Sequence, residues 1–364
     1  MRLALKPALS RSWRDSETLQ FGTVTRHAGV LGNADQTLCE FLGLLDGSLD
    51  RPELLAAGER IGLGREPAET LLAELEETGL LDDAEAVDRA LARFPQPHRE
   101  LLGPDLASLS LVHSGPGAAP AALARRADAR IEVRGAGRVG AAVAAVLAAG
   151  GTGTVTVSDG GRVTPGDCSP AGLPPADIGR LRSTAAREAV RRAVGRPPLP
   201  APAPRRRPDD PPPDFVVLAP RDGSGAFAGG TYEARLLLRA GVPHLYVGVV
   251  EEFGIVGPLV VPGRSACGHC LVLRREDEDA AWPRVLAQLA HEGPGRARTP
   301  ACDTALATAV AGLAALHVQV YLDGGRPPSV DGWCEVSASD AMARRLRLRG
   351  HPDCGCLWQP FPPG

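Results

Sequence analysis

Ile131-Glu132-Val133-Arg134-Gly135-Ala136-Gly137-Arg138-Val139-Gly140, followed by a second extended run at Val155-Thr156-Val157-Ser158-Asp159, decides the fold. Between the two runs Val139, Val143, Val146 and Leu147 share one face of a helical pattern. The order is strand, G-x-G-x-x-G, helix, strand, acid, with the acid 24 residues after the first glycine. That arrangement predicts an α/β domain of the Rossmann type. Gly135, Gly137 and Gly140 would let backbone approach a phosphate at the helix N-terminus, and Asp159 could accept from ribose hydroxyls. Whether a nucleotide occupies such a domain is a separate question.

Downstream, Phe215 to Ala219 reads as a buried strand, as do Leu245 to Val250 and Ile255 to Val261. Thr231 to Ala240 and Asp303 to Val318 read as helices. The stretch from Gly195 to Pro213 holds nine prolines, which excludes a central strand and predicts an exposed polyproline-type loop.

Two thiol pairs flank a long segment of helical pattern: Cys267 and Cys270 in a C-x-x-C, Cys354 and Cys356 in a C-x-C. Each pair closes a small chelate, so the fold has only to bring the pairs together for a tetrahedral zinc ion. Disulfide-like clips and buried free thiols are the alternatives. Arg2 and Lys6 are followed by no apolar signal-peptide core, so a reducing, cytoplasmic compartment is expected, and with it zinc. Four thiolates leave no open position, so the metal is expected to be structural.

The first 85 or so residues read differently. Leu3 and Leu5 alternate with polar neighbours, and Thr18 to Val24 alternates again. Three helical patterns follow: Leu38, Phe41, Leu42 and Leu45 with Asn33 as N-cap; Asp50 to Arg60 with Pro52 in its first turn; and Ala68, Leu71, Leu72 and Leu75 with Gly79 as the stop. Strands with three short helices predict a winged helix-turn-helix. The third helix carries Glu66, Glu69, Glu74, Glu76 and Glu77 and no Lys or Arg from Glu66 to Glu77, which disfavours DNA. A structural cap and a peptide groove beside an added strand both remain open. Residues 82–128, rich in Pro, Gly and Ala, read as a connector partly helical around Arg99 to Leu109. The expected division is 1–85, a linker at 86–128, and 129–364.

With 364 residues, 44% of them hydrophobic, the chain can bury two cores. It has 40 Lys and Arg against 43 Asp and Glu, a net charge of −3 that gives no reason to expect nucleic acid. No uninterrupted run of apolar residues reaches membrane-spanning length, so no membrane partner is expected.

The core with Asp159, the segment Gly179-Arg180-Leu181-Arg182 opening a helix, and the split cysteine knuckle together resemble the ThiF and ubiquitin-activating-enzyme superfamily over roughly residues 129–364. Active members adenylate a C-terminal carboxylate with ATP and magnesium. By that resemblance Asp159 matches the ribose-binding acid, and Arg182 stands where the family has a phosphate-binding lysine. The family's Asn-x-x-Arg falls on Asp167 and Pro170, and its magnesium-binding Asp on Arg221, with Asp222 one place late. Adenylyl transfer depends on such placement of charge, so the nucleotide site is expected to be vestigial, with ATP and magnesium not expected to bind. Cys302, before a helix, stands where a thioester cysteine can occur; Asp303 beside it opposes a thiolate.

A winged helix before a degenerate ThiF-like domain, together with Cys267 to Asp277 and Trp282-Pro283, resembles the leader-peptide-binding partner proteins of azoline-forming pathways. The resemblance implies a non-catalytic subunit that presents a ribosomal precursor peptide to a YcaO-type, ATP-dependent cyclodehydratase making thiazoline or oxazoline rings, and a homodimer. It implies a leader along an edge strand at Leu19, Phe21 and Thr23, against a helix carrying Leu71, Leu72 and Leu75. The alternative reading is an active adenylyltransferase.

Overall fold

The computed structural model describes residues 1–23, 29–197, 211–221, 232–290 and 301–358. They form two units, Met1–Ala127 and Asp128–Gly364. Much of the proline-rich stretch (198–210), together with Val24, Asp222 and Thr231, lies outside the described residues.

In the first unit, β1 (Arg2–Leu5) is the middle strand of a three-stranded antiparallel sheet, between β5 (Asp46–Asp50) and β6 (Leu81–Asp83). A second sheet has the order β2 (Arg11–Trp13), β3 (Leu19–Phe21), β4 (Gly29–Leu31). Helices α1 (Gln36–Gly43), α2 (Arg51–Ile61) and α3 (Arg65–Glu77) pack on these sheets through Phe41, Leu42, Leu54, Leu55, Ala68, Leu72 and Leu75. The N-cap of α1 is Asp35, whose carboxylate accepts from Leu38 N at 2.7 Å. Asn33, expected there, lies two residues earlier at φ 52°. Asp50 and Glu53 close a capping box on α2, and Gly79 takes φ 71° beyond α3.

Where a partly helical connector was expected, the chain forms α4 (Ala84–Leu91), α5 (Gln96–Leu101), α6 (Gly103–Val112) and α7 (Ala118–Asp128). Phe94, Leu102, Leu106, Leu109, Ala119, Ala122 and Leu123 make a core among them. Lys6 is buried, and its Nζ donates to the carbonyls of Ser110 and Ser114 just beyond β1.

The second unit is built on a seven-stranded mixed sheet in the order β13-β12-β11-β10-β9-β7-β8. Strands β7 (Arg130–Arg134), β8 (Thr154–Ser158), β9 (Phe215–Leu218) and β10 (His244–Val250) run parallel; β11 (Phe253–Val260), β12 (Gly332–Ser337) and β13 (Ala343–Arg347) continue antiparallel. Helices α8 (Arg138–Ala149), α9 (Arg182–Ala193) and α13 (Thr304–Leu322) belong to one core, in which Val143 and Leu147 meet Ala185 and Ala311. A second core brings α10 (Tyr232–Arg239) and α11 (Gly268–Glu278) against Val216, Leu218 and Tyr246; α12 (Trp282–Ala290) follows α11. Helix α13 has the length and apolarity of a membrane span, yet its Leu306, Val310, Ala314 and Val318 are core residues.

Two buried histidines in this unit set an acid limit on stability. His244 Nδ1 lies 3.0 Å from the Val242 carbonyl, and its Nε2 has no hydrogen-bond partner among the described residues. His317 Nδ1 lies 2.9 Å from Ser329 Oγ. Burial lowers both imidazoles to about 4 from the ordinary 6.5. A base held neutral in the fold but protonated when unfolded adds stability above its unfolded pKa, and that stability is lost as pH falls towards the folded pKa. The urea midpoint of the second unit should therefore drop between pH 6.5 and 4, with a slope approaching two protons. A His244→Gln, His317→Gln double variant should flatten the slope; an unchanged slope would exclude these groups as its source.

Candidate functional site

Strand β7 has β8 on one side and β9 on the other, so the chain reverses direction across the sheet there, the place where open α/β sheets bind ligands beyond the strand ends. A cleft of about 260 Å³ lies at that point, lined by Gly137, Arg138, Asp167, Pro220, Arg221 and Cys302 among others. A second, of about 420 Å³, touches Gly135, Asp159, Pro220, Arg221 and Tyr246. The sequence-expected Gly135, Gly137, Gly140, Asp159 and Arg182 are gathered around this point.

Two of the three glycines are required by packing. Gly135 has φ 106°, and a Cβ there would stand 1.9 Å from the Ala219 carbonyl oxygen. A Cβ on Gly140 would stand 2.1 Å from the Gly135 carbonyl oxygen. Gly137, the glycine that lets a pyrophosphate approach in dinucleotide sites, faces the aliphatic stem of Arg221, with a notional Cβ 3.4 Å from its Cγ.

The charged groups of the site satisfy one another. Asp159 accepts from Ala136 N (2.9 Å) and Gly161 N (2.8 Å), and from Arg182 Nε at 2.9 Å. Arg182 Nη1 donates to the Arg162 carbonyl (2.9 Å) and stands 3.7 Å from Asp167. Buried Asp167 accepts from Thr164 N and Oγ1, both 2.8 Å, and from Arg221 Nε at 2.5 Å. Arg221 Nη2 reaches Thr164 Oγ1 at 2.9 Å. Arg138 donates to the Gly166 and Cys302 carbonyls at 2.9 and 2.7 Å. Burial alone would raise the Asp167 pKa; the bonds from Arg221 and then Thr164 outweigh it and hold the carboxyl below the usual range. Arg221 thus places a guanidinium on the acid at the position where the family has an amide. The departures at Asp167 and Arg221, each unfavourable to nucleotide chemistry, are partners of one another. Arg138 and Thr164 drew no notice in the sequence, since nothing in their spacing marks them.

Cys302 lines the cleft as a thiol. Burial pushes its pKa up, Arg138 opposes, and Asp303 adds to the rise. Asp303 instead caps α13, accepting from Leu306 N at 3.0 Å.

The cysteine pairs converge. Cys267 precedes α11 and Cys270 lies in its first turn, while Cys354 and Cys356 follow β13 around Gly355 at φ 72°. The Sγ separations are 3.5 Å (Cys267 to Cys354), 3.5 Å (Cys270 to Cys356) and 3.9 Å (Cys267 to Cys270), and all four sulfurs lie within 4.8 Å of one another. A tetrahedron with zinc–sulfur bonds of ~2.3 Å has edges of ~3.8 Å. The donor set fits a zinc-like ion. Arg274 donates to the carbonyls of Arg349 and Gly350, and His351 Nε2 lies 2.9 Å from Asp277, so the segment entering the C-x-C turn is tied to α11.

In the first unit the expected peptide-contacting residues separate. Leu19 and Phe21 lie on β3, the middle strand of its sheet, with their side chains in the core, so this strand offers no edge. Thr23 is exposed beyond it. Leu71, Leu72 and Leu75 are all core residues, and Leu71 also borders a groove of about 420 Å³ lined by Leu31, Leu38, Leu63, Glu66, Pro67, Thr70 and Glu74 among others. The edge available there is β4. Strand order depends on non-local pairing, so alternation alone did not identify it.

Residues 116–197 match the ThiF family. No curated protein matches the chain by sequence. Among solved structures, E. coli MccB with AMPCPP and MccA is 14% identical at a TM-score of 0.66, covering 99% of this chain and 100% of that one. The microcin C7 biosynthetic enzyme MccB in complex with N-formylated MccA is 15% identical at 0.65, covering 98% and 100%. The heterocyclase TruD is 18% identical at 0.62, covering 98% of this chain and 42% of TruD. Residues 116–197 thus match the ThiF family within a chain whose fold is similar to those of MccB and TruD.

Proposed function

We propose that this chain is a non-catalytic subunit that binds the leader of a ribosomal precursor peptide and presents it to a separate YcaO-type, ATP-dependent cyclodehydratase forming thiazoline or oxazoline rings. The observation that carries the reading is the internal pairing of Asp159 with Arg182 and of Asp167 with Arg221, which engages these four charged groups with one another. The likeness in fold to the heterocyclase TruD, of which the match covers 42%, supports it. The first unit, read as a winged-helix peptide clasp, would hold the leader between β4 and α3, and the cysteine cluster would hold a structural zinc.

A second reading, an adenylyltransferase acting on a peptide carboxylate, draws on the persistence of the cleft at the α8 N-terminus and on MccB being solved with AMPCPP. Reconstitution separates the two. The precursor should lose one water per ring only when this chain, the cyclodehydratase and ATP are all present. Pyrophosphate release by this chain alone with ATP and peptide would favour the adenylyltransferase.

A further inference from the structure

We propose that the groove between β4 and α3 selects an extended, cationic peptide segment of the pattern basic–x–apolar–x–basic. This rests on the peptide-binding reading above and adds the chemistry of the peptide.

The groove has an apolar floor and an anionic rim. Leu31, Leu38, Leu63, Pro67 and Leu71 line it, and among the described residues no Lys or Arg does. On α3, Glu66, Thr70 and Glu74 succeed one another at intervals of four, all exposed and all at the groove. Neighbouring acids are already neutralised: Arg65 pairs with Glu69 at 3.3 Å and Arg51 with Glu76 at 2.9 Å. Glu66 and Glu74 make no ion pair among the described residues, so they face the groove as uncompensated charge.

Their spacing sets the pattern. Eight residues of α-helix span ~12 Å, which an extended chain covers in about four residues, with side chains i, i+2 and i+4 on the same side. A strand laid along α3 therefore places positions i and i+4 opposite Glu66 and Glu74, and position i+2 over Thr70 and Leu71, above the apolar floor. Strand β4 pairs only with β3 among the described residues, so its other edge can supply main-chain bonds to such a strand. Cations at both ends complement the rim; acids there would meet like charge at each end.

The test measures fluorescence anisotropy of the full-length chain with three labelled synthetic peptides sharing the core X-Val-Leu-Val-X, where X is Lys, Gln or Glu. The Lys peptide should bind about tenfold tighter than the Glu peptide, with the gap closing at high salt. The Glu66→Lys, Glu74→Lys double variant should reverse the order, and Leu71→Ala should weaken whichever peptide binds best. Equal affinities, all weakened by Leu71→Ala, would overturn the charge pattern and leave the peptide groove standing. Binding insensitive to all three substitutions would overturn this site, and no binding by any of the three peptides would count against the groove itself.

Discussion

Cys354→Ser is expected to reduce the metal content of the purified chain from one zinc to none and to loosen the end of the second unit. The four sulfurs sit near the corners of a tetrahedron of the size zinc requires, and a metal there would join residues 354–356 to the start of α11. Cys267 and Cys270 also belong to the core with Val216, Leu218 and Tyr246, so losing the clip uncovers one face of the sheet. Structural zinc binding is worth ~10–16 kcal/mol in zinc-finger peptides. Here the rest of the unit is independently packed, and a loss on the order of 5 kcal/mol is expected, confined to the knuckle, α11 and β13. Hydrogen exchange should quicken there and stay slow in β7, β8 and β9. Retention of one zinc per chain by the variant would show that the ligand set is wrong.

Gly135→Ala should destabilise the second unit by about 3 kcal/mol or more, and Gly140→Ala by a similar amount, while Gly137→Ala should cost less than about 1 kcal/mol. The first two would push a methyl group into backbone, 1.9 Å from the Ala219 oxygen and 2.1 Å from the Gly135 oxygen, and neither backbone segment can give way without moving a strand end. At Gly135 the positive φ adds strain of its own. Gly137 has φ −77°, and its new methyl group would meet only the stem of Arg221. Urea unfolding of the three variants checks the order. A nucleotide-binding site would need all three glycines for function, whereas a scaffold needs only the two that pack. A severe loss of stability from Gly137→Ala would contradict the position assigned to Arg221.

The Rossmann-type core was legible because its signals are local: a strand, a glycine turn, a 3.6-residue stripe and an acid lie within thirty or so residues. The cysteine knuckle was legible for the same reason, since each pair carries its own chelate spacing. Helices α4 to α7 were harder to see. They bury small residues such as Ala119 and Ala122, and Pro97 and Pro104, which stand in first turns, read as breakers in a proline-rich stretch. Strand β13 hid behind its charge: Arg344, Arg345 and Arg347 occupy an edge strand, where cations are tolerated and the hydrophobic alternation fades. The placement of β3 between β2 and β4 and the Arg221–Asp167 pair, 54 residues apart, are long-range facts that no window of sequence contains.

Titration of ATP with magnesium into the full-length, zinc-loaded chain by calorimetry tests the central claim most directly. With Asp159 held by Arg182 and Asp167 by Arg221, no heat of binding is expected even at millimolar nucleotide. Micromolar binding accompanied by pyrophosphate exchange would contradict the account, because it would require the nucleotide to break both ion pairs and rebuild a working adenylation site.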